Sequence, residues 1–401
     1  MPVSSEHRRK TALMTLASAT VLGAGQAALS FCKALRRSGW RVVVIWGPPS
    51  RKEEGVAAVQ AMEEVGVEVH ALRRLVAPTV PVWFTLRGIA KANRPDVVIG
   101  VMQRDRPIAM ALSHSLGVPG VVAAQNQHIF WGSPLISWGK RMIYTFAVRN
   151  WASLVVCTSE RVRDEIESFG VSRERTTILP NGISPAPRPN LSTTERDALR
   201  AELGAGPGST LLLNVGRLDP QKGQDILIEA FAACARTRRH LQLGLIGGVS
   251  GGAAKRRTVA FDAMLRDRVK RLGVGDQVKF VGWRSDVWRL LAVADGYVHA
   301  SRWEGFSFAM LEAMAASLPV VITDCSGTPE GFIQSDHGWI ARADDADALA
   351  GAIAHLADLT PDARSRMGEA GRHLVEERYE SDVIGNRFAD LVGRLVKGHH
   401  S

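Results

Sequence analysis

Leu211-Leu-Leu-Asn-Val215-Gly216-Arg217-Leu-Asp-Pro-Gln-Lys222-Gly223 decides the fold. A short apolar run ends at a glycine, and a proline-containing turn follows it. Residues 224–236 then read as a helix, and a second apolar run occupies 241–246. Strand, glycine turn, helix and strand make the repeating unit of a doubly wound parallel sheet.

Working outward, the same alternation fills the chain. Downstream strands are predicted at 278–281, 296–299 and 320–323, with helices over 258–272, 286–292, 308–316 and 346–356. Upstream, Val- and Ile-rich runs at 13–17, 42–46, 97–101, 121–124 and 154–157 read as buried parallel strands. Helices are predicted between them, for example over 26–37 and 106–116. A proline-rich connection at 179–189 precedes a helix over 194–203. At 401 residues the chain exceeds one ordinary core. The expectation is an α/β protein of two Rossmann-like doubly wound parallel-sheet domains, 1–190 and 191–380, facing a central cleft. A last helix, within 381–401, would cross back onto the first domain.

Composition sets the class. The chain is 46% hydrophobic and 22% charged, which suits a globular protein and excludes disorder. Its net charge of +10 lies in one half: residues 1–190 hold 24 Lys/Arg against 13 Asp/Glu, and residues 191–401 hold 26 against 27. A basic first half suits an anionic partner. The basic residues come as short pairs such as Arg36-Arg37 and Arg73-Arg74 without a recognisable nucleic-acid module, so no nucleic acid is expected. Four scattered cysteines, with no Cys-x-x-Cys, point to free thiols in a reducing cytoplasm. Arg8-Arg9-Lys10 followed by the apolar stretch 11–29 could be read as a signal peptide or a membrane span. Thr15, Ser18, Gly23, Gly25 and Gln26 interrupt that stretch, and strand, glycine turn and helix account for all of it.

The chemistry concentrates in two segments. Arg217 leaves a strand at its carboxyl end, where such sheets bind ligands, and Lys222 follows five residues later. Arginine grips phosphate oxygens with a planar fork, and lysine supplies a compact point charge. The second segment is Glu304-Gly-Phe-Ser-Phe-Ala-Met-Leu-Glu312. Its glycine lets backbone approach a ligand, and the helix start offers N–H groups to a diphosphate. Eight residues correspond to about 12 Å of helix, so the two glutamates would contact different parts of one long ligand. Glu312 sits in an almost wholly apolar segment, where a carboxylate needs a partner.

These segments resemble the retaining glycosyltransferases of the GT-B fold, family 4. The resemblance is strong across 211–330 and runs collinear through the first half, taking in Leu179-Pro-Asn-Gly-Ile183, 155–160 and the loop Gly23-Ala-Gly25-Gln26. It implies that Gly216, Arg217 and Lys222 meet the pyrophosphate of a nucleotide sugar and that the two cations stabilise its departure. Glu304 would touch the donor sugar, and the backbone of Gly305, Phe306, Ser307 and Phe308 would cradle phosphate. Glu312 would hold the ribose, and Trp283 would flank the base. Many members carry a histidine in the loop that here reads Ala124-Gln-Asn126-Gln-His128. Asn126 aligns there and His128 lies two residues on, so His128 as a catalytic contact stays open. The resemblance also implies front-face substitution with no cofactor and no metal. The lone Asp-x-Asp, Asp345-Ala-Asp347, is read as a helix cap.

The implied enzyme is a hexosyltransferase with a nucleotide-sugar donor and a glycan or lipid-linked acceptor. Residues 82–94 and 131–151 mix cations with aromatics, which points to an anionic membrane surface and a cytoplasmic, peripheral location. Core helices with snorkelling cations are the competing account. Two rival activities stay open. Gly23-Ala-Gly25-Gln-Ala-Ala28 fits a dinucleotide pattern, with Arg51 for a 2′-phosphate, so an NAD(P)-dependent oxidoreductase is one. A nucleotide-sugar epimerase of the same architecture is the other.

Overall fold

The computed structural model describes residues 8–17, 23–47, 52–73, 75, 79–125, 134–185, 188–249, 255–325, 327, 331–332 and 334–400. The chain divides into two compact units, Met1–Gly182 with Ser381–Ser401, and Ile183–Glu380. The division falls at 182/183 and not at 190/191. Ile183 is fully buried in the core of the second unit, and its N–H donates to the Tyr379 carbonyl at 2.8 Å. That pins the start of the connecting segment to the second unit.

The first unit holds a seven-stranded parallel sheet: β1 (Thr11–Leu16), β2 (Arg41–Trp46), β3 (Glu68–Ala71), β4 (Val97–Gly100), β5 (Gly120–Ala124), β6 (Leu154–Cys157) and β7 (Thr176–Ile178). Their order is β3-β2-β1-β4-β5-β6-β7. β1 pairs in register with β2 on one side and β4 on the other, and all six of its residues are buried. The apolar stretch 11–29 is thus divided between a central strand and the helix Ala24–Arg37. No helix among the described residues is long and apolar enough to cross a membrane.

The second unit repeats the scheme with six strands: β8 (Thr210–Val215), β9 (Leu241–Ile246), β10 (Val278–Gly282), β11 (Gly296–His299), β12 (Val320–Thr323) and β13 (Gly338–Ala341), in the order β10-β9-β8-β11-β12-β13. Alternation along β8 shows how the layers form. Leu212 faces one core with Phe231, Leu265 and Ile353, while Leu211 and Leu213 face another with Leu199, Leu311 and Val375. Both faces are covered by helices, as a parallel sheet requires. Asp345 does cap the helix Ala346–Ala357, accepting from the Ala348 N–H at 2.9 Å.

The ten strands expected from sequence are present, and β3, β7 and β13 are additions. All three are edge strands, and β3 (Glu-Val-His-Ala) and β7 (Thr-Thr-Ile) are polar because one flank meets solvent. All four cysteines are buried free thiols, and burial pushes Cys32 and Cys157 up to about 12.

The helix Ser381–His400 packs on the helix Ala24–Arg37 within the first unit. Gly385 permits the approach, since a Cβ there would sit 2.9 Å from the Ala34 Cβ. Phe31 and Phe388 stack at 3.9 Å, the Ser30 hydroxyl donates to the Ser381 carbonyl at 2.9 Å, and Arg37 grips Asp382 with bonds of 2.6 and 2.8 Å. Phe388 is wholly buried. Phe388→Ala should therefore cost about 3–5 kcal/mol, read as a lower urea midpoint at unchanged slope. A change below 1 kcal/mol would show that the last helix is dispensable to the unit.

Candidate functional site

The sheet of the second unit reverses its winding between β8 and β11, and the residues that leave both carboxyl ends build the site. Three strand ends are laced together first. Gly216 N–H donates to the Ile246 carbonyl at 2.9 Å, Gly247 N–H to the Gly282 carbonyl at 2.8 Å, and Leu218 N–H to the Gly248 carbonyl at 3.2 Å. A Cβ on Gly247 would lie 1.8 Å from the Gly216 oxygen, so only glycine allows this lacing. Trp283 follows at the end of β10 with its side chain 63% exposed.

The loop after β8 then turns onto the loop after β11. Gly223 adopts φ +63° where a Cβ would meet the Ala300 oxygen at 1.9 Å. Gln221 Nε2 donates to the Trp303 carbonyl at 3.0 Å, and Arg302 N–H returns a bond to the Gln221 carbonyl at 2.8 Å. Arg302 also donates to the Pro220 carbonyl at 2.7 Å and holds Asp225 through both guanidinium nitrogens at 2.8 and 2.9 Å. At the centre Lys222 Nζ donates to Glu304 Oε1, with both side chains largely buried. The Ser301 hydroxyl donates to the same oxygen at 3.0 Å, and His299 Nε2 lies 3.9 Å from it.

Electrostatics follow from this packing. Burial acts to raise the Glu304 pKa, but Lys222, His299 and the Ser301 hydroxyl outweigh it and hold the carboxyl below its ordinary range. Burial lowers the His299 pKa to about 4 against the pull of Glu304, with Lys222 adding to the fall. His299 is therefore a neutral imidazole near pH 7, and its buried Nε2 has no hydrogen-bond partner among the described residues.

Glu312 lies one turn inside the helix Phe308–Ala315, whose start is capped by the Ser307 hydroxyl accepting from the Met310 N–H at 3.4 Å. No hydrogen bond or ion pair is made by the Glu312 carboxyl among the described residues, and burial raises its pKa to about 7. Tyr297, buried in β11, is shifted upward by burial and then by the charges of Glu312 and Glu304 together. Both carboxylates thus act on one phenol, which donates to the Val215 carbonyl at 3.5 Å.

Of the residues singled out from sequence, the structure brings together Gly216, Arg217, Lys222, Glu304, Gly305, Ser307 and Glu312 around these two strand ends. Arg217 is exposed and donates to Gln221 Oε1 at 3.4 Å. The Phe306 ring turns inward and stacks on Tyr379 at 5.4 Å, so only its backbone can serve a ligand, while Phe308 is half-buried at the first helical position. Gly23, Gly25 and Gln26 belong to the first unit, where Gly23 (φ +58°) precedes the helix Ala24–Arg37 and accepts from the Gln26 N–H at 3.0 Å. Asn126, His128 and Arg51 lie outside the described residues. Sequence reading missed His299, Ser301, Gln221 and Arg302. A histidine at the carboxyl end of the apolar β11 was the one available signal.

Comparison with known proteins gives these residues a context. The family described as "Glycosyl transferases group 1" matches residues 195–374, and "Glycosyltransferase Family 4" matches residues 21–186. The lipopolysaccharide core biosynthesis mannosyltransferase LpsB of Rhizobium meliloti is 27% identical over 296 residues, 73% of this chain and 74% of that protein. A glycogen synthase of Mycobacterium tuberculosis is 28% identical over 318 residues, 78% of this chain and 72% of its own length. Among solved structures, Anabaena HepE in complex with UDP superposes with a TM-score of 0.78 at 21% identity, covering 96% of this chain and all of that one. That likeness is one of fold. Two family matches in chain order, curated relatives that are transferases, and twin parallel sheets place the chain in glycosyltransferase family 4, a sugar-transferring enzyme on the GT-B fold.

Proposed function

We propose that the protein moves a hexose from a nucleoside-diphosphate sugar to a hydroxyl of a glycan or lipid-linked acceptor, with retention at the anomeric carbon. The observation that carries this reading is the buried Lys222–Glu304 pair beside the unpartnered Glu312. HepE has been solved with UDP and with UDP-glucose, and LpsB acts in lipopolysaccharide core biosynthesis; both support a donor and an acceptor of these classes. The two matched families are transferases, which sets the epimerase and oxidoreductase readings aside.

The roles follow from chemistry. Arg217 and Lys222 meet the diphosphate, and Glu304, released from Lys222, accepts from the sugar hydroxyls. Glu312 accepts from the ribose hydroxyls, and the exposed face of Trp283 supports the base. The bond from the anomeric carbon to the diphosphate oxygen breaks with its electron pair on the diphosphate. The acceptor oxygen bonds to the same face, and its proton passes to the departing phosphate oxygen. Catalysis rests on charge stabilisation and positioning, so no metal or cofactor is assigned a step. Product analysis by NMR tests the stereochemistry: an inverted anomer would overturn front-face transfer.

Removing one member of the central pair strands the other. Lys222→Met should abolish binding of nucleoside diphosphates and destabilise the protein by roughly 3 kcal/mol, because Glu304 is left buried alone. Adding Glu304→Gln should recover most of that stability and none of the turnover. If the double variant melts no higher than Lys222→Met alone, the pair does not carry the energetics assigned to it.

Glu312 makes nucleotide binding pH-dependent. Burial holds its carboxyl at about 7, whereas an unfolded chain ionises it near 4.5. Ionisation therefore costs the folded state stability above pH 7, and the cost fades as the pH falls toward 4.5. Ribose hydroxyls would stabilise the ionised form, so affinity for the best ligand among UDP, GDP and ADP should rise about tenfold from pH 5.5 to pH 8 by calorimetry. Glu312→Gln should flatten that profile. An unchanged slope in the variant would remove Glu312 from the ribose.

A further inference from the structure

The helix Pro134–Trp151 in the first unit turns six large apolar side chains to solvent. Leu135 is 77% exposed, Ile143 66% and Trp138 61%, and Ile136, Met142 and Phe146 are each at least half exposed. Positions 135, 138, 142 and 146 recur at three- and four-residue spacing and form a stripe along one side. The opposite side is anchored, with Tyr144, Ala147 and Val148 no more than 2% exposed in the core of the unit. The account of this segment as a core helix with snorkelling cations explains its inner face only. A surface helix normally shows polar residues outward, and an outward apolar stripe marks a contact surface.

The charge pattern names the partner. The helix carries Lys140, Arg141 and Arg149 and no acidic residue. From 69 to 159 the chain has ten Lys/Arg and only Asp96 and Asp105. Asp96 accepts from Arg8 and from the Thr11 N–H, and Asp105 is wholly buried. This stretch therefore offers no free carboxylate to a cationic partner. A second copy docked through the same helix would bring its unopposed positive charge beside the same charge, which disfavours self-association. The helix is about 27 Å long and too charged to cross a bilayer. Arg141 lies over the ring of Phe169, so the outward face itself is apolar and aromatic and the cations flank it. An apolar face bordered by cations, with no acidic residue in the helix, suits a helix lying in the plane of an anionic headgroup layer.

We infer that the outer face of Pro134–Trp151 docks on an anionic lipid bilayer, with Trp138 and Phe146 at the headgroup boundary. This deepens the lipid-linked acceptor reading, but it stands on the first unit alone and does not depend on the donor residues.

Flotation of the full chain at 50 mM salt tests it, using vesicles of phosphatidylcholine alone and of phosphatidylcholine with one quarter phosphatidylglycerol. The protein should float with the anionic vesicles, at least tenfold less with the neutral ones, and less again at 500 mM salt. Ile143→Glu with Phe146→Ser should lower flotation at least tenfold while leaving the melting temperature and nucleoside-diphosphate binding unchanged. Failure of the unaltered protein to float with anionic vesicles would overturn the inference, as would wild-type flotation of the double variant. So would a dimer of the unaltered protein that the variant disperses, which would assign the face to a second copy. Loss of nucleotide binding in both proteins would instead count against the donor site and leave this result standing.

Discussion

The contact between Lys222 and Glu304 holds the functional half of the second unit together. It joins residues 82 apart in sequence, one after β8 and one after β11, across the point where the sheet reverses. Everything nearby serves to make that meeting possible. Gly223 lets the chain pass against the Ala300 carbonyl, Gln221 and Arg302 stitch the two loops, and Ser301 shares the carboxylate. A buried ion pair gains little stability relative to an apolar replacement, so its presence fits a site that exchanges partners better than one that only braces the fold. The cation and the anion satisfy each other. A ligand that brings both a diphosphate and a polyhydroxyl group can satisfy each separately.

Two carboxylates only eight residues apart end in opposite states. Glu304 is crowded by donors and kept ionised, whereas Glu312 has burial and no donor and sits near neutrality. Tyr297 between them registers both charges. The same residue type thus serves as a charged anchor in one place and as a poised acceptor in the other, purely through its surroundings.

Central strands were legible because their apolar runs are buried on both faces, as in Leu211–Leu213 and Val42–Ile45. Three of the four edge strands were not: Glu68, His70, Thr176 and Thr177 need satisfy only one neighbour, whereas β10, also an edge, carries Val278, Phe280 and Val281. The glutamates and the two cations announced themselves by spacing and by position after a strand. Their mutual pairing did not, because it depends on which loops the topology brings together. Phe306 illustrates the same limit: its backbone was expected at the ligand, but the direction of its ring, onto Tyr379 in the core, was not legible. His299 was hidden for a related reason, since a polar residue ending a buried strand gains meaning only once its neighbours are known. At the division, 182/183, Ile183 enters the core of the second unit and bonds to Tyr379, contacts that no composition shift reveals.

The four cysteines have a practical consequence. Each sits inside the protein, and burial keeps the thiols of Cys32 and Cys157 protonated well beyond neutral pH. Thiolates are the reactive species, so maleimide and nitroxide reagents should find the folded chain nearly silent. A single cysteine placed on an outward-facing residue would then carry a fluorophore or spin label without background, and the native chain could be followed spectroscopically with no prior removal of its own sulfurs.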